Sequence, residues 1–269
     1  MSHTETAPQP LAEGQTPPAP DAPHGLPAVG VSEADLSISV QARALPDLDR
    51  VLKGLVQRDP VPPKALLDLG CGVGGLTTHI GRRLGITELI GADLSTERLE
   101  MAARRGIRPF VVNLERDRVP VASESVGMVT CFGLLAYLTL YDNCLSEAAR
   151  VLDDNGWLLF SMPNLGNYGN RLAMLFGFQP HGCAVSRHRL AGTLGHPNRD
   201  ASTNMPPLLH GATLRCMKEL LDAYGFDVVI TRGFTPSGSR RPVIDRLADR
   251  FPSLSRRFIV LARKRPQVG

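Results

Sequence analysis

The run Asp68-Leu69-Gly70-Cys71-Gly72-Val73-Gly74-Gly75 concentrates the residue types that could handle a cofactor. It follows a short apolar segment, Ala65–Leu69, and opens a stretch with helical spacing, Leu76–Leu84. Glycine lacks a Cβ, so such a loop turns sharply and brings backbone N–H groups against a ligand. The start of the following helix adds N–H groups that have no intrahelical acceptor. Gly70, Gly72 and Gly75 fit the G-x-G-x-x-G spacing of nucleotide-cofactor loops, which serves NAD and S-adenosylmethionine alike. Three neighbouring features separate the two. Asp68 lies two residues before the first glycine, where the dinucleotide fingerprint carries an apolar residue. Asp93 ends the next apolar segment, where a carboxylate can accept both ribose hydroxyls of either cofactor. Asn113-Leu114 ends the third such segment and sets an amide beside the expected adenine.

The elements that must position these residues follow an alternating pattern. Helical spacing covers Pro46–Arg58, Leu76–Leu84, Thr96–Arg105 and about Asp142–Leu152, and strands are expected at Ala65–Leu69, Glu88–Ala92, Pro109–Val112, Val126–Cys131 and Trp157–Ser161. Short strands alternating with helices of about ten residues imply a parallel sheet covered by helices on both faces. The regularity stops over residues 163–210, which hold five prolines and six glycines. A long irregular stretch inside a compact domain is usually a binding element, and it is read here as a lid over the acceptor site. Its one periodic stripe, Tyr168, Leu172, Leu175 and Phe176, is read as core in preference to pocket. A helix over Thr213–Tyr224 and strands at Phe226–Thr231 and Phe258–Arg263 close the domain.

In this context the chain resembles the class I S-adenosylmethionine-dependent methyltransferases. Leu67–Leu76 resembles their first motif, Gly91-Ala92-Asp93-Leu94-Ser95 their ribose-binding strand end, and Asn113 through Val129 their adenine-site loop and fourth strand. Leu145 through Leu152, then Asn155-Gly156-Trp157, looks like the helix and turn leading into strand five. Pro163 through Tyr168, Asn170-Arg171-Leu172, His210, Thr213 and Gly225-Phe226 resemble a bacterial subgroup close to the methionine-biosynthesis W-like, type 11 methyltransferases. The likeness covers about residues 46–265. It implies a Rossmann-like, mostly parallel seven-stranded α/β sheet with an antiparallel final strand, and S-adenosyl-L-methionine as cofactor. It further implies that Gly70, Cys71 and Gly72 face the methionine part through their backbones, with Asp68 ordering the loop. Asp93 would hold the ribose, Asn113 and Leu114 would border the adenine, and Phe132 and Gly133 would meet the methionine amino group. Cys71 is read as a small residue that fits, not a reactive thiol, and Leu94 as a packing residue that also touches adenine. The family's frequent Glu-His pair after strand four is Ala136-Tyr137 here, so any assistance from that pair is absent. Its Pro-Gly turn before strand five is Asn155-Gly156.

Composition bounds the alternatives. With 269 residues, 43% hydrophobic and 21% charged, the chain is globular, not collagen-like or a disulfide scaffold. Five cysteines with no CxxC and no zinc-finger spacing imply a reduced protein with no structural metal. The longest apolar stretch, Val126–Leu140, is 15 residues and broken by Gly and Thr. A membrane span needs about 20 such residues, and no secretory signal is visible, so a soluble, cytoplasmic protein is expected. Residues 1–42 are proline-rich and carry five acids and no base, which reads as a disordered tail before a domain over 43–269. That domain then holds thirty Lys and Arg against twenty-one acids, with ten of the bases after residue 230.

An activated methyl donor leaves the enzyme mainly the task of in-line placement. A hydroxyl acceptor would also need a base, most often histidine. Four histidines fall between 181 and 210, and His210 ranks first because it precedes the Thr213 helix. His181 and Tyr137 are the other catalytic candidates, and Tyr168, Arg171 and Arg187 the candidates for acceptor binding. Three functions stay open: methylation of a small-molecule acceptor of natural-product or envelope-precursor type, methylation of RNA, or a non-catalytic partner that keeps the cofactor fold. The basic body suits RNA, whereas 14 aromatic residues and no accessory RNA-binding motif speak against it. An NAD oxidoreductase is disfavoured because no second catalytic half follows. Oligomeric state is left open.

Overall fold

The computed structural model describes residues 44–183, 185–186, 189–194, 199–200, 211–235 and 242–266. The acidic tail expected over 1–42 lies outside them, as do Arg187, His188, His196 and His210. The elements are α1 (Leu45–Arg58), β1 (Ala65–Leu69), α2 (Gly75–Leu84), β2 (Glu88–Asp93), α3 (Thr96–Ala103), β3 (Arg108–Val111), β4 (Val126–Phe132), α4 (Asp142–Val151), β5 (Leu152–Pro163), α5 (Tyr168–Leu175), a short pair β6 (Arg189–Leu190) and β7 (Arg199–Asp200), then α6 (Leu214–Ala223), β8 (Phe226–Phe234), α7 (Pro242–Ala248) and β9 (Arg257–Lys264). The main sheet has the order β3-β2-β1-β4-β5-β9-β8. Neighbours are parallel except β9, which runs antiparallel to both β5 and β8. This is the seven-stranded, mostly parallel sheet expected from the sequence.

Every residue of β1 and of β4 is buried, as central strands covered on both faces must be. Successive side chains point to opposite faces. Leu67, Leu69, Val129 and Cys131 join a core with Cys144, Leu145 and Ala148 of α4 and Met217 and Leu221 of α6. Leu66, Met128 and Phe132 join a second core with Leu48, Val51, Leu52 and Leu55 of α1 and Ile80 and Leu84 of α2. Helix starts are set locally. Ser95 Oγ accepts from Arg98 N at 3.3 Å and Thr213 Oγ1 from Cys216 N at 3.2 Å, capping α3 and α6. The connection order reverses between β1 and β4, which opens a crevice beyond their carboxyl ends.

Two local readings are corrected. Strand β5 begins at Leu152, five residues earlier than its apolar run suggests, because Leu152 already pairs with Val126 and the ladder resumes past a register shift. Asn155 takes φ 64° inside that stretch, the left-handed conformation that asparagine tolerates where the family has Pro-Gly. The stripe Leu172, Leu175 and Phe176 is not core: the three are 46%, 77% and 68% exposed. Helix α5 turns its other face inward, burying Asn170 and Ala173. Asn170 fixes that orientation, donating to Leu165 O and His181 O and accepting from His181 N at 2.9 Å.

Candidate functional site

Asp68 sits in the middle of the sheet edge beneath the glycine loop. Its carboxylate accepts from Thr77 Oγ1 on α2 at 2.5 Å and from Thr130 Oγ1 on β4 at 2.8 Å. One buried acid thereby ties β1, β4 and the first turn of α2 together, which orders the loop between them. Burial pushes this carboxyl from its ordinary 3.8 up to about 6, assisted by the negative charge of Asp93 and opposed by the two threonine hydroxyls. An acid whose folded pKa lies above its unfolded value favours the fold when protonated, so this contribution is complete below about pH 4 and is lost as pH rises toward 6. The shift corresponds to about 3 kcal/mol. Wild-type stability measured against Asp68→Asn by urea denaturation should therefore decline by up to about 3 kcal/mol between pH 4 and pH 7. A difference that stays constant over that window would contradict the assignment.

The loop itself is stitched to the end of β2. Gly70 N and Cys71 N both donate to Ala92 O, at 2.7 and 3.1 Å. Gly72 N donates to Asp93 Oδ2 at 2.9 Å, and Ser95 N to Asp93 Oδ1 at 3.0 Å. The left-handed glycines are Gly70, Gly72 and Gly74, with φ of 77°, 54° and 78°. Gly75, the third glycine of the sequence fingerprint, instead begins α2. A Cβ at Gly74 would stand 2.1 Å from Ile107 Cδ1, so that glycine serves packing, whereas a Cβ at Gly72 would meet no protein atom within 4 Å. Open space over Gly72, at the mouth of the crevice, is where a ligand can approach the backbone. Gly72→Ala should consequently cost only about 1 kcal/mol of stability, the penalty of a left-handed alanine, yet weaken nucleoside-cofactor binding about tenfold or more by projecting a methyl into the ligand's space. Paired melting curves and calorimetry separate the two effects; equal binding by the variant would place the ligand elsewhere.

Cys71 is buried against Leu99, Ala102 and Ile107, and burial together with Asp68 and Asp93 pushes its thiol strongly up. It packs, as the sequence reading has it, in space left by Gly91, whose Cβ would lie 2.6 Å from Cys71 Sγ. Leu94 does not pack: it is 61% exposed beyond the β2 end. Asn113 follows β3 and accepts at Oδ1 from Glu115 N at 3.0 Å, while its own N–H donates to Asp117. Leu114 beside it is buried, and its carbonyl accepts from Asn143 Nδ2. Phe132 is buried at the β4 end, and Gly133, with φ 74°, donates to Ser161 O at 3.1 Å. A single helical turn, Leu135–Tyr137, then carries Tyr137. Burial raises the Tyr137 phenol above its ordinary value, with Arg257 and Arg98 pulling the other way.

The structure thus gathers Asp68, Gly70–Gly72, Asp93, Leu94, Asn113, Leu114, Phe132, Gly133 and Tyr137 along the carboxyl ends of β1 to β4. The acceptor candidates of α5 are engaged within the fold. Tyr168 Oη donates to Asp245 Oδ1 at 2.7 Å, and Arg171 Nε donates to Gly166 O at 2.7 Å and its NH2 to Ser253 O at 3.2 Å. His181 is exposed with its backbone held by Asn170. Thr77 and Thr130 were invisible to motif reading, since a hydroxyl on a helix and one in a strand carry no spacing signal.

A family of methyltransferase domains matches residues 67–160. Trans-aconitate 2-methyltransferase of Pseudomonas aeruginosa is 32% identical over 108 residues, 39% of this chain and 38% of that one. Malonyl-[acyl-carrier protein] O-methyltransferase of Geobacter sulfurreducens is 25% identical over 142 residues, 52% of either chain. The chain therefore spans about half, or less, of the length of these relatives. A crystal structure of an S-adenosylmethionine-dependent methyltransferase from Mesorhizobium loti shares the fold, with a TM-score of 0.56 at 17% identity over 84% of this chain and all of that one. Residues 67–160 are thus similar to a methyltransferase domain, and the sheet has the fold of an enzyme whose cofactor is S-adenosylmethionine. The matched span holds the glycine loop, Asp93, Asn113, Phe132 and Tyr137; the residues that resemble the W-like subgroup lie beyond it.

The site fits that cofactor. Among the described residues each Asp93 oxygen accepts one N–H, and a carboxylate oxygen has capacity for another donor. Gly72 faces open space, and the exposed Leu94 offers an apolar surface beside Asp93.

Proposed function

We propose that this chain transfers the methyl group of S-adenosylmethionine to a small-molecule acceptor of the natural-product or envelope-precursor type, by in-line displacement. The observation that carries the reading is the open face of Gly72 beside the Asp93 carboxylate at the sheet's switch point. When bound, the cofactor supplies a methyl group already activated on a sulfonium. Asp93 accepts the ribose hydroxyls, Asn113, Leu114 and Leu94 border the adenine, and Gly70, Cys71 and Gly72 with Phe132 and Gly133 surround the methionine part. Tyr137, kept protonated by burial, donates a hydrogen bond toward the acceptor and does not serve as a base at neutral pH. A base, where the acceptor needs one, comes from His181 or His210. Tyr168, Arg171 and Arg187 belong to the acceptor side; of these, Tyr168 and Arg171 contribute by fixing α5 through Asp245, Gly166 and Ser253.

The name of one relative supports a small acceptor, since trans-aconitate is a small carboxylic acid; the malonyl group named by the other is also a carboxylic acid, there carried on a protein. The basic C-terminal segment gives RNA methylation less support than its charge suggests: Arg232, Arg256, Arg263 and Arg265 pair with Asp47, Asp245, Asp59 and Asp222. Incubation with S-adenosylmethionine carrying a labelled methyl group, together with size-fractionated cell extract, tests the proposal. Label is expected in a low-molecular-weight fraction. Label in RNA would overturn the acceptor assignment, and cofactor binding with no transfer to any fraction would indicate a non-catalytic partner.

A further inference from the structure

Arg257 begins β9 and stands in register with Pro163 at the end of β5 and Phe234 at the end of β8. Because β9 runs against its neighbours, its first residue lies at the edge where β1, β4 and β5 end. Phe132 of β4 pairs with Ser161, and Ser161 with Ile259. Arg257 is two residues outward of that rank, two strands from β4, or about 10 Å by strand spacing. Its parity with Ile259 and Leu261 puts it on the sheet face that also carries Phe132. An arginine side chain spans much of the remaining distance to the crevice.

Its surroundings are unusual for a cation. Among the described residues Arg257 has no ion pair, and its Nε is buried with no acceptor. Its guanidinium carbon lies 6.0 Å from the centre of the Phe234 ring. Neighbouring Arg256, by contrast, pairs with Asp245 at 3.0 Å. Burial drives the Arg257 proton equilibrium downward, and the Tyr137 phenol and this guanidinium each act on the other's ionisation, so the two groups share one environment. A half-buried guanidinium without a carboxylate is costly to the fold, and such cost recurs where a ligand supplies the missing charge.

We propose that Arg257 is the acceptor-binding cation of this site, receiving an anionic oxygen group of the acceptor, a carboxylate or a phosphate, beside the Tyr137 hydroxyl. The proposal rests on the methyl-transfer reading and names the acceptor's chemical class. The guanidinium fork matches either anion with two parallel N–H donors.

Calorimetric titration of the full chain, saturated with S-adenosylhomocysteine, with benzoate, phenyl phosphate and benzamide tests this. One of the two anions should bind about tenfold or more tightly than neutral benzamide, and which of them does so identifies the acceptor's group. Arg257→Met should erase that preference while leaving S-adenosylhomocysteine affinity unchanged and the melting temperature equal or higher; Arg257→Lys should retain part of the preference. Equal binding of all three probes would overturn the proposal. So would a preference that survives in Arg257→Met, or a lower melting temperature with anion binding intact. Failure of the wild type to bind S-adenosylhomocysteine would instead strike the methyl-transfer reading, and the same three probes on the unliganded chain would still report on Arg257.

Discussion

Asp93→Ala is expected to weaken S-adenosylhomocysteine binding by about a hundredfold or more, measured by calorimetry. The side chain has two duties that fail together. It accepts from Gly72 N and Ser95 N, holding the glycine loop and the start of α3 in place, and in the proposed complex it accepts from the ribose hydroxyls. Hydrogen bonds to a charged acceptor are worth about 1.5–3 kcal/mol each, and a hundredfold loss needs about 2.8 kcal/mol. Removal of the ribose contacts alone reaches that figure, with loop disorder adding to it. Asp93→Asn retains one acceptor oxygen and should fall between the two. Because the loop is partly exposed, the melting temperature should move little; a variant that binds normally would remove Asp93 from the site.

The largest effect on stability is expected from Glu147 on α4. Its carboxylate accepts from Val119 N at 2.7 Å and from Arg150 Nε and NH2 at 2.8 and 2.7 Å. Arg150 in turn donates to Val121 O and Val119 O, both at 2.9 Å. The pair is largely buried, with side chains 10% and 19% exposed, and fastens the segment after Leu114 to the body of the domain. The Arg150 guanidinium holds the Glu147 carboxyl below its ordinary range, after burial has pushed the other way. Glu147→Ala strands a half-buried guanidinium and the Val119 N–H, which should cost about 3–5 kcal/mol in urea denaturation. Adding Arg150→Met should recover part of that loss, since the stranded charge is then gone. Strict additivity of the two changes would contradict the network.

The parallel half of the fold is legible in the chain because its signals are local and redundant. Ala65–Leu69 and Val126–Cys131 are apolar runs, interrupted only by Asp68 and by Gly127 and Thr130, of the kind that a strand buried on both faces requires, and the glycines between β1 and α2 mark the loop directly. The cofactor side of the site follows from that regularity, since each candidate stands at a strand end. The other side was less legible. The stripe over Tyr168–Phe176 coincides with α5, yet periodicity defines a face without saying which way it turns; the polar contacts of Asn170 decide that. Helix α7 has no core stripe to announce it: Val243, Ile244 and Leu247 stay exposed. Arg257 is hidden in sequence among the ten basic residues of the C-terminal segment. Only the antiparallel return of β9, a long-range pairing, carries it to the crevice edge and separates it from its ion-paired neighbour Arg256.

The central claim, that the glycine loop and Asp93 form an S-adenosylmethionine site, is tested most directly by calorimetric titration of the full chain with S-adenosylmethionine, S-adenosylhomocysteine and NAD. Micromolar binding of both sulfur nucleosides, with no heat from NAD, is the predicted result. Binding of NAD alone would contradict the account and make the loop a dinucleotide site.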